Sequence, residues 1–109
     1  MIRGPVTKPV DAATSNYTSD AIDLSNWDGC YFLVSNDGGF SGTVTVQALL
    51  TGINSSGTVV NSGSTYKQYG AALTVDRVEK LDDAPSLIKI NVVVTSGTVS
   101  VWAQPFSRG

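Results

Sequence analysis

Ile88, Ile90, Val92 and Val94 stand on one side of the chain, with Lys89 and Asn91 on the other. After Ser96-Gly97 the alternation resumes with Val99, Val101 and Ala103. A period of two belongs to a strand, because successive side chains leave opposite sides of the pleated backbone. Two such runs divided by so short a glycine turn predict a β-hairpin over residues 88–103. Thr43–Ala48 alternates in the same way, and Cys30–Ser35 sets Cys30, Phe32 and Val34 against Tyr31 and Leu33. Asn36-Asp37-Gly38-Gly39 between them supplies residues that tolerate positive φ and reads as a turn. Composition agrees: 14 Val, 5 Ile and 11 Thr among 109 residues favour strands, and 11 Gly with 13 Ser favour many turns. The expectation is an all-β fold, an antiparallel β-sandwich of jelly-roll type with seven or eight short strands and negligible helix. Its core is expected to hold Phe32, Val34, Val44, Val46, Ile88, Ile90, Val92, Val94, Val99 and Val101.

The chain divides into an extended N-terminal arm, residues 1–16, and a single β-sandwich domain, residues 17–109. Pro5 and Pro9 keep the first segment out of a central strand, leaving an arm or an edge strand. Ile2, Val6 and Val10 are apolar with little nearby to bury them, and Arg3 and Lys8 make the tip basic. An arm of this kind is expected to order on a partner. Beyond it, Thr18, Asp20, Ile22 and Leu24 share one face of a possible strand, and Leu73–Asp76 reads as a short one. Ser-Gly-Thr-Val recurs at 41–44, 56–59 and 96–99 at unequal spacing, so it marks turn-to-strand junctions and not a repeat.

Several chemistries are hard to build from these residues. The chain has no His, the commonest general base and zinc ligand, and a single Cys, Cys30. Without a His to activate it, Cys30 on an apolar strand reads as a buried structural thiol. Asp23–Gly29 fails the register of a calcium loop, and the acids from Asp76 to Asp83 read as a solvated segment. The serines have no His partner and no Gly-x-Ser-x-Gly elbow. The expectations are no enzymatic activity, no cofactor and no bound transition metal, with weak calcium binding left open. A net charge of −2 argues against nucleic acid. No apolar run approaches a membrane span, and residues 1–16 lack a signal peptide's apolar centre. Asn16-Tyr17-Thr18 matches a glycosylation acceptor that would matter only in a secreted chain. Among Trp27, Tyr31, Tyr66, Tyr69, Trp102 and Phe106, packing is the ordinary role. Trp102 stands apart, on the face opposite Val99, Val101 and Ala103.

The stretch Tyr17–Gly29 with its Ile22-Asp23-Leu24, the apolar Cys30–Val34, the Gly-rich turn, Thr43-Val44-Thr45-Val46-Gln47 and the Ser86–Ala103 pair together resemble small virion proteins of tailed phages. The pattern is most similar to the jelly-roll decoration, or cement, proteins of short-tailed phages, of the epsilon-fifteen staple type. The resemblance implies a virion structural protein on the outer capsid surface, made in the host cytoplasm. It would bind the major capsid protein, bridge neighbouring shell subunits and contact further copies of itself. Candidate partner-binding residues are Ile2, Arg3, Val6, Lys8, Val10, Trp102 and Phe106. The alternative is a receptor- or carbohydrate-binding β-sandwich of a phage tail or fibre.

Overall fold

A computed structural model describes residues 1–53, 56, 59–61 and 66–109, with the side chains of 51–53 and 59–61 left aside. The fold is all-β and antiparallel, with no helix among the described residues. In chain order the strands are β1 (Ile2–Arg3), β2 (Thr7–Ala13), β3 (Tyr17–Thr18), β4 (Ile22–Asp23), β5 (Gly29–Leu49), β6 (Thr51–Ile53), β7 (Val59–Asn61), β8 (Lys67–Gln68), β9 (Val78–Leu81) and β10 (Leu87–Ser107). Strands β5 and β10 are 21 residues each and pair along their whole length, from Leu87↔Leu49 to Phe106↔Gly29. The chain from β1 to β4 runs antiparallel along the free edge of β10, and β8 and β9 line the free edge of β5. The short pair β6–β7 is separate.

The long ribbon is folded over. Straight, the ten residue steps from Val34 to Val44 would span about 33 Å. Yet Val75 bridges Val34, and Leu73 donates its N–H to the Val44 carbonyl at 2.8 Å. Two residues of chain and two strand spacings hold those points within about 18 Å. The other edge cuts the same corner: Ala13↔Val99 and Tyr17↔Val92 give β2–β3 four steps where β10 takes seven. One inner face therefore meets the other, and Cys30, Phe32, Val34, Val99, Val101 and Ala103 of the first half share a core with Val44, Val46, Ile88, Ile90 and Val92 of the second. Nine of the ten expected core residues are buried; Val94, beside the corner, is half-buried.

The expected hairpin over 88–103 is not there. Val94 pairs with Gly42 and Thr98 with Gly38, so Ser96-Gly97 is an irregularity within one continuous strand, and Asn36–Gly39 lies opposite it in the other. Glycine fits a bulged corner as well as a reversal. Gly97 has φ of 77°, and a Cβ there would run into the Gly39 backbone. At Gly42 a Cβ would meet the Val93 carbonyl oxygen. The corner thus needs backbones closer than side chains permit.

The first sixteen residues are an edge strand of the chain's own sheet, not a free arm. Val10 pairs with Val101 and is fully buried, a burial worth about 1.5–3 kcal/mol for a valine. Pro9 keeps to an edge strand, where a missing N–H costs least. Further along, Ser19 turns inward in place of Thr18 and Asp20. Its hydroxyl accepts the Ile90 N–H at 2.9 Å and donates to the Asp20 carbonyl at 3.0 Å, so the buried oxygen is satisfied. Of Leu73–Asp76, only Val75 makes a bridge. The Ser-Gly-Thr-Val copy at 56–59 falls largely outside the described residues.

Gly97→Ala is expected to cost at least about 2 kcal/mol, because left-handed strain adds to a backbone collision. On a domain of this size that is roughly a 10 °C fall in thermal midpoint. Ala12, a non-glycine residue at φ 52°, supplies the contrast. Ala12→Gly should leave the midpoint unchanged or raise it, both readable by calorimetry.

Candidate interaction surface

The two outer faces of the folded ribbon differ in chemistry. On the second half, Thr43, Thr45, Gln47, Lys89 and Asn91 occupy the outward positions, with Val93 the exposed apolar exception. On the first half the outward positions of three adjacent strands carry Trp102, Leu33 and Val78 in one row, fixed by the pairs Trp102↔Leu33 and Leu33↔Val78. The next row carries Gln104, Tyr31 and Lys80. Val6 and Lys8 of the N-terminal edge complete the face. Val6, Tyr31, Leu33, Val78, Trp102 and Gln104 border a shallow depression of about 270 Å³. Val78 is 61%, Val6 59% and Trp102 38% exposed, so this apolar surface is open to solvent. Scattered apolar residues need no explanation, but a contiguous group holding Trp and Tyr has the composition of an interface.

Charge is held at the rims of this face. The Lys8 ammonium lies 4.7 Å from the centre of the Trp102 ring and 2.9 Å from Asp11. At the opposite rim Lys80 pairs with Asp82 at 3.1 Å. Above the Trp102 row, Ser100 donates its hydroxyl hydrogen to Asp37 and accepts the Ala12 N–H at 2.9 Å, tying the corner to the N-terminal edge. Ser35 donates to the other Asp37 oxygen at 2.9 Å. The Ser100 and Ser35 hydroxyls hold the Asp37 carboxyl below the usual carboxylate range, with Lys8 adding a smaller push in the same direction.

The structure sorts the sequence candidates. Ile2, Arg3, Val6, Lys8 and Trp102 are exposed, and Val6, Lys8 and Trp102 come together. Val10 and Phe106 are fully buried and cannot meet a partner. Phe106 lies on the outer side of β10, in step with Trp102 and Gln104, and is covered there: its ring stacks tilted on Tyr31, centroids 4.9 Å apart, with the Lys80 ammonium 5.3 Å from its centre. The aromatic residues do not form one platform. Trp27 and Tyr69 border a separate depression with Leu50 and Arg108, and Tyr66 lies under Lys89 at 4.7 Å. Tyr31, Leu33 and Val78 were missed; the alternation Cys30–Ser35 placed the first two opposite the core, which was the available signal.

Other chemistry-bearing residues have structural tasks. Asp76 accepts the Asn36 N–H at 3.0 Å, Glu79 the Thr74 N–H at 3.2 Å, and Asp23 the Ser25 N–H at 2.9 Å. Arg108 gives its backbone N–H to Asp28 and a guanidinium hydrogen to the Asp82 carbonyl, each at 2.6 Å, clasping the C-terminus. Cys30 is buried and free, and burial pushes its thiol up to about 12 against a Gln104 backbone hydrogen bond that lowers it. At neutral pH it stays a thiol, a poor nucleophile. Among the described residues no group of three or more His, Cys, Asp or Glu is arranged to hold a metal ion. Nor, among the described residues, is any helix long and apolar enough to cross a membrane.

No family model matches the chain, and no curated protein matches it. Among solved structures it is similar to the crystal structure of the SPBc2 prophage-derived protein YomS. The TM-score is 0.65 over 96% of this chain and 95% of that one, at 14% sequence identity. That likeness shows the fold: an all-β, antiparallel arrangement shared from end to end.

Asp37 gives a pH expectation. Its carboxyl is depressed in the folded state, so its contribution to stability is present above the unfolded carboxylate range and is lost as pH falls through the folded value. The thermal midpoint should therefore fall between about pH 5 and pH 2. Asp37→Asn should show a shallower fall over the same range in a pH series of melting curves.

Proposed function

We propose that the protein is a phage structural protein that docks on the outer surface of a capsid and bridges neighbouring shell subunits. The observation that carries the reading is the N-terminal edge, where Met1 and Ile2 are 61% and 59% exposed beside Arg3 on an unpaired sheet margin. Apolar side chains on an open edge can meet a neighbour by side-chain packing or by adding a strand to its sheet. Two further facts support it. The strand-and-turn pattern of residues 17–104 resembles decoration proteins, and the structurally similar YomS is a prophage-derived protein. A clamp on a lattice works through faces and edges, which is where this chain puts its exposed apolar groups. Most of its acids, by contrast, are spent on backbone N–H groups, serine hydroxyls and ion pairs.

A carbohydrate- or receptor-binding role on a tail is the second reading, favoured by Trp102, Tyr31 and Gln104 around one shallow depression. The Lys8 ammonium over the Trp102 ring stands against it, because it occupies a face a sugar would stack on.

The test uses point variants, since removing residues 2–10 would take Val10 out of the core. Ile2→Asp and Arg3→Glu should fold with an unchanged melting curve. Each should lower occupancy on capsids lacking the wild-type protein by tenfold or more, and the deficit of Arg3→Glu should narrow with added salt, which screens exposed charges. Full occupancy by the double variant would overturn the shell-docking assignment of this edge, and binding to a glycan array at the Trp102 face would favour the second reading.

A further inference from the structure

Away from the surfaces described above, the free edge of β5 holds a slot of about 310 Å³ between the two halves of the ribbon. Its origin is a mismatch in chain length. Tyr69 donates its N–H to the Val46 carbonyl and Leu73 to the Val44 carbonyl, so the flanking chain takes four steps where β5 takes two. Gly70, Ala71 and Ala72 therefore loop away from the edge, and their small side chains leave the space behind them open. Phe32 and Val46, buried members of the two facing inner stripes, form the floor, with Leu73 and Leu81 at the sides.

One carboxylate faces this apolar space. The pair Glu79↔Phe32 gives Glu79 the parity of the core, whereas Val78 and Lys80 take the outward positions of β9. Glu79 is half-buried, borders the slot and accepts the Thr74 N–H on Oε2 at 3.2 Å. A carboxylate offers about four lone-pair sites, so that bond leaves most of its capacity open. Among the described residues no lysine or arginine pairs with it. Lys80 also borders the slot, yet its ammonium is engaged with Asp82 at 3.1 Å and lies over the Phe106 ring on the outer side.

We infer that the slot binds a primary ammonium on a short apolar stem, the chemistry shared by a free alkylamine and a lysine side chain of another protein. The stem lies along Phe32, Val46 and Leu81 while the ammonium meets Glu79 at the mouth, the same division that lysine follows at apolar surfaces. Both ends count. An anion of the same shape is repelled by Glu79, and a neutral alcohol forgoes the charge-assisted hydrogen bond. The volume is at the lower end of small-molecule sites, roughly 300–1,000 Å³, so the ligand is small and the binding weak. The slot and the N-terminal edge lie on opposite margins of the sheet, so this site is independent of shell docking.

Titration of the full chain with n-butylammonium, from about 0.1 mM to about 20 mM for a ligand of so few atoms, is read by amide chemical shifts. Saturable shifts are expected at residues 70–73 and 79–81. Pentanoate, of similar length but opposite charge, should leave them still, and n-butanol should bind at least tenfold more weakly. Glu79→Gln keeps an acceptor for the Thr74 N–H and removes the charge, so it should lower n-butylammonium affinity tenfold or more. The comparison of probes on the wild type needs no variant, should Glu79→Gln fail to fold. Nα-acetyl-lysine methylamide separates the two sources: tighter binding than n-butylammonium assigns the slot to a protein's lysine, and weaker binding to a free amine. The absence of saturable shifts with either amine would overturn the site. So would an equal response to pentanoate, an affinity that Glu79→Gln leaves intact, or shifts confined to residues 31–33 and 102–104.

Discussion

The pairing of β5 with β10 is the interaction on which everything else hangs. Neither ribbon arm could bury its apolar stripe alone, since a flat two-stranded sheet leaves both faces in water. Bending the ribbon back on itself brings one stripe against the other, so that Phe32, Val34, Val99 and Val101 pack with Val44, Val46, Ile88 and Ile90. The bend is possible because Gly42 and Gly97 let backbones approach where a Cβ would collide. Once the ribbon is folded, both flanking segments take the short route across the corner, and the hydrogen bonds that Ser100 and Asp76 accept from the Ala12 and Asn36 N–H groups fasten them there.

Much of this was legible in the sequence. Alternation identified the strands and the facing of nearly every core residue, because a one-residue slip would turn the whole stripe to solvent. What alternation does not encode is which strand a given strand pairs with. Ser96-Gly97 satisfies a two-residue hairpin and a one-residue bulge equally well, and the choice falls to contacts made fifty or more residues away. The N-terminal segment was misjudged for a related reason. Its bulges against β10 spoil a strict period of two, so Val10 looked like an unburied valine when it was a core residue on an irregular edge. Phe106 shares the outward parity of Trp102 and is hidden by tertiary neighbours such as Tyr31 and Lys80, which no local pattern shows; nor does Pro105 end the strand. Its carbonyl still accepts the Gly4 N–H at 2.8 Å, and the strand passes through.

The interaction surface was half legible. Trp102 was found from its place opposite the core stripe, and Tyr31 and Leu33 obey the same rule on the adjacent strand. Assembling them into one face needed the register Trp102↔Leu33↔Val78, which ties together residues from three distant parts of the chain. A face of this kind is a property of pairing, and no local window contains it.

Folding one ribbon over also explains why the molecule has two unlike outsides. Both halves are cut from the same two strands, so each could have carried polar residues outward, as Thr43, Thr45, Gln47 and Asn91 do on the second half. The first half instead exposes Val78 and Trp102, with Leu33 half-buried between them, and these carry the solubility cost of open apolar surface. Stability therefore does not account for them. Lysines at both rims, one of them over the Trp102 ring, screen that surface while leaving its centre free. A surface guarded in this way lies outside the core, which keeps its single task of holding the corner closed.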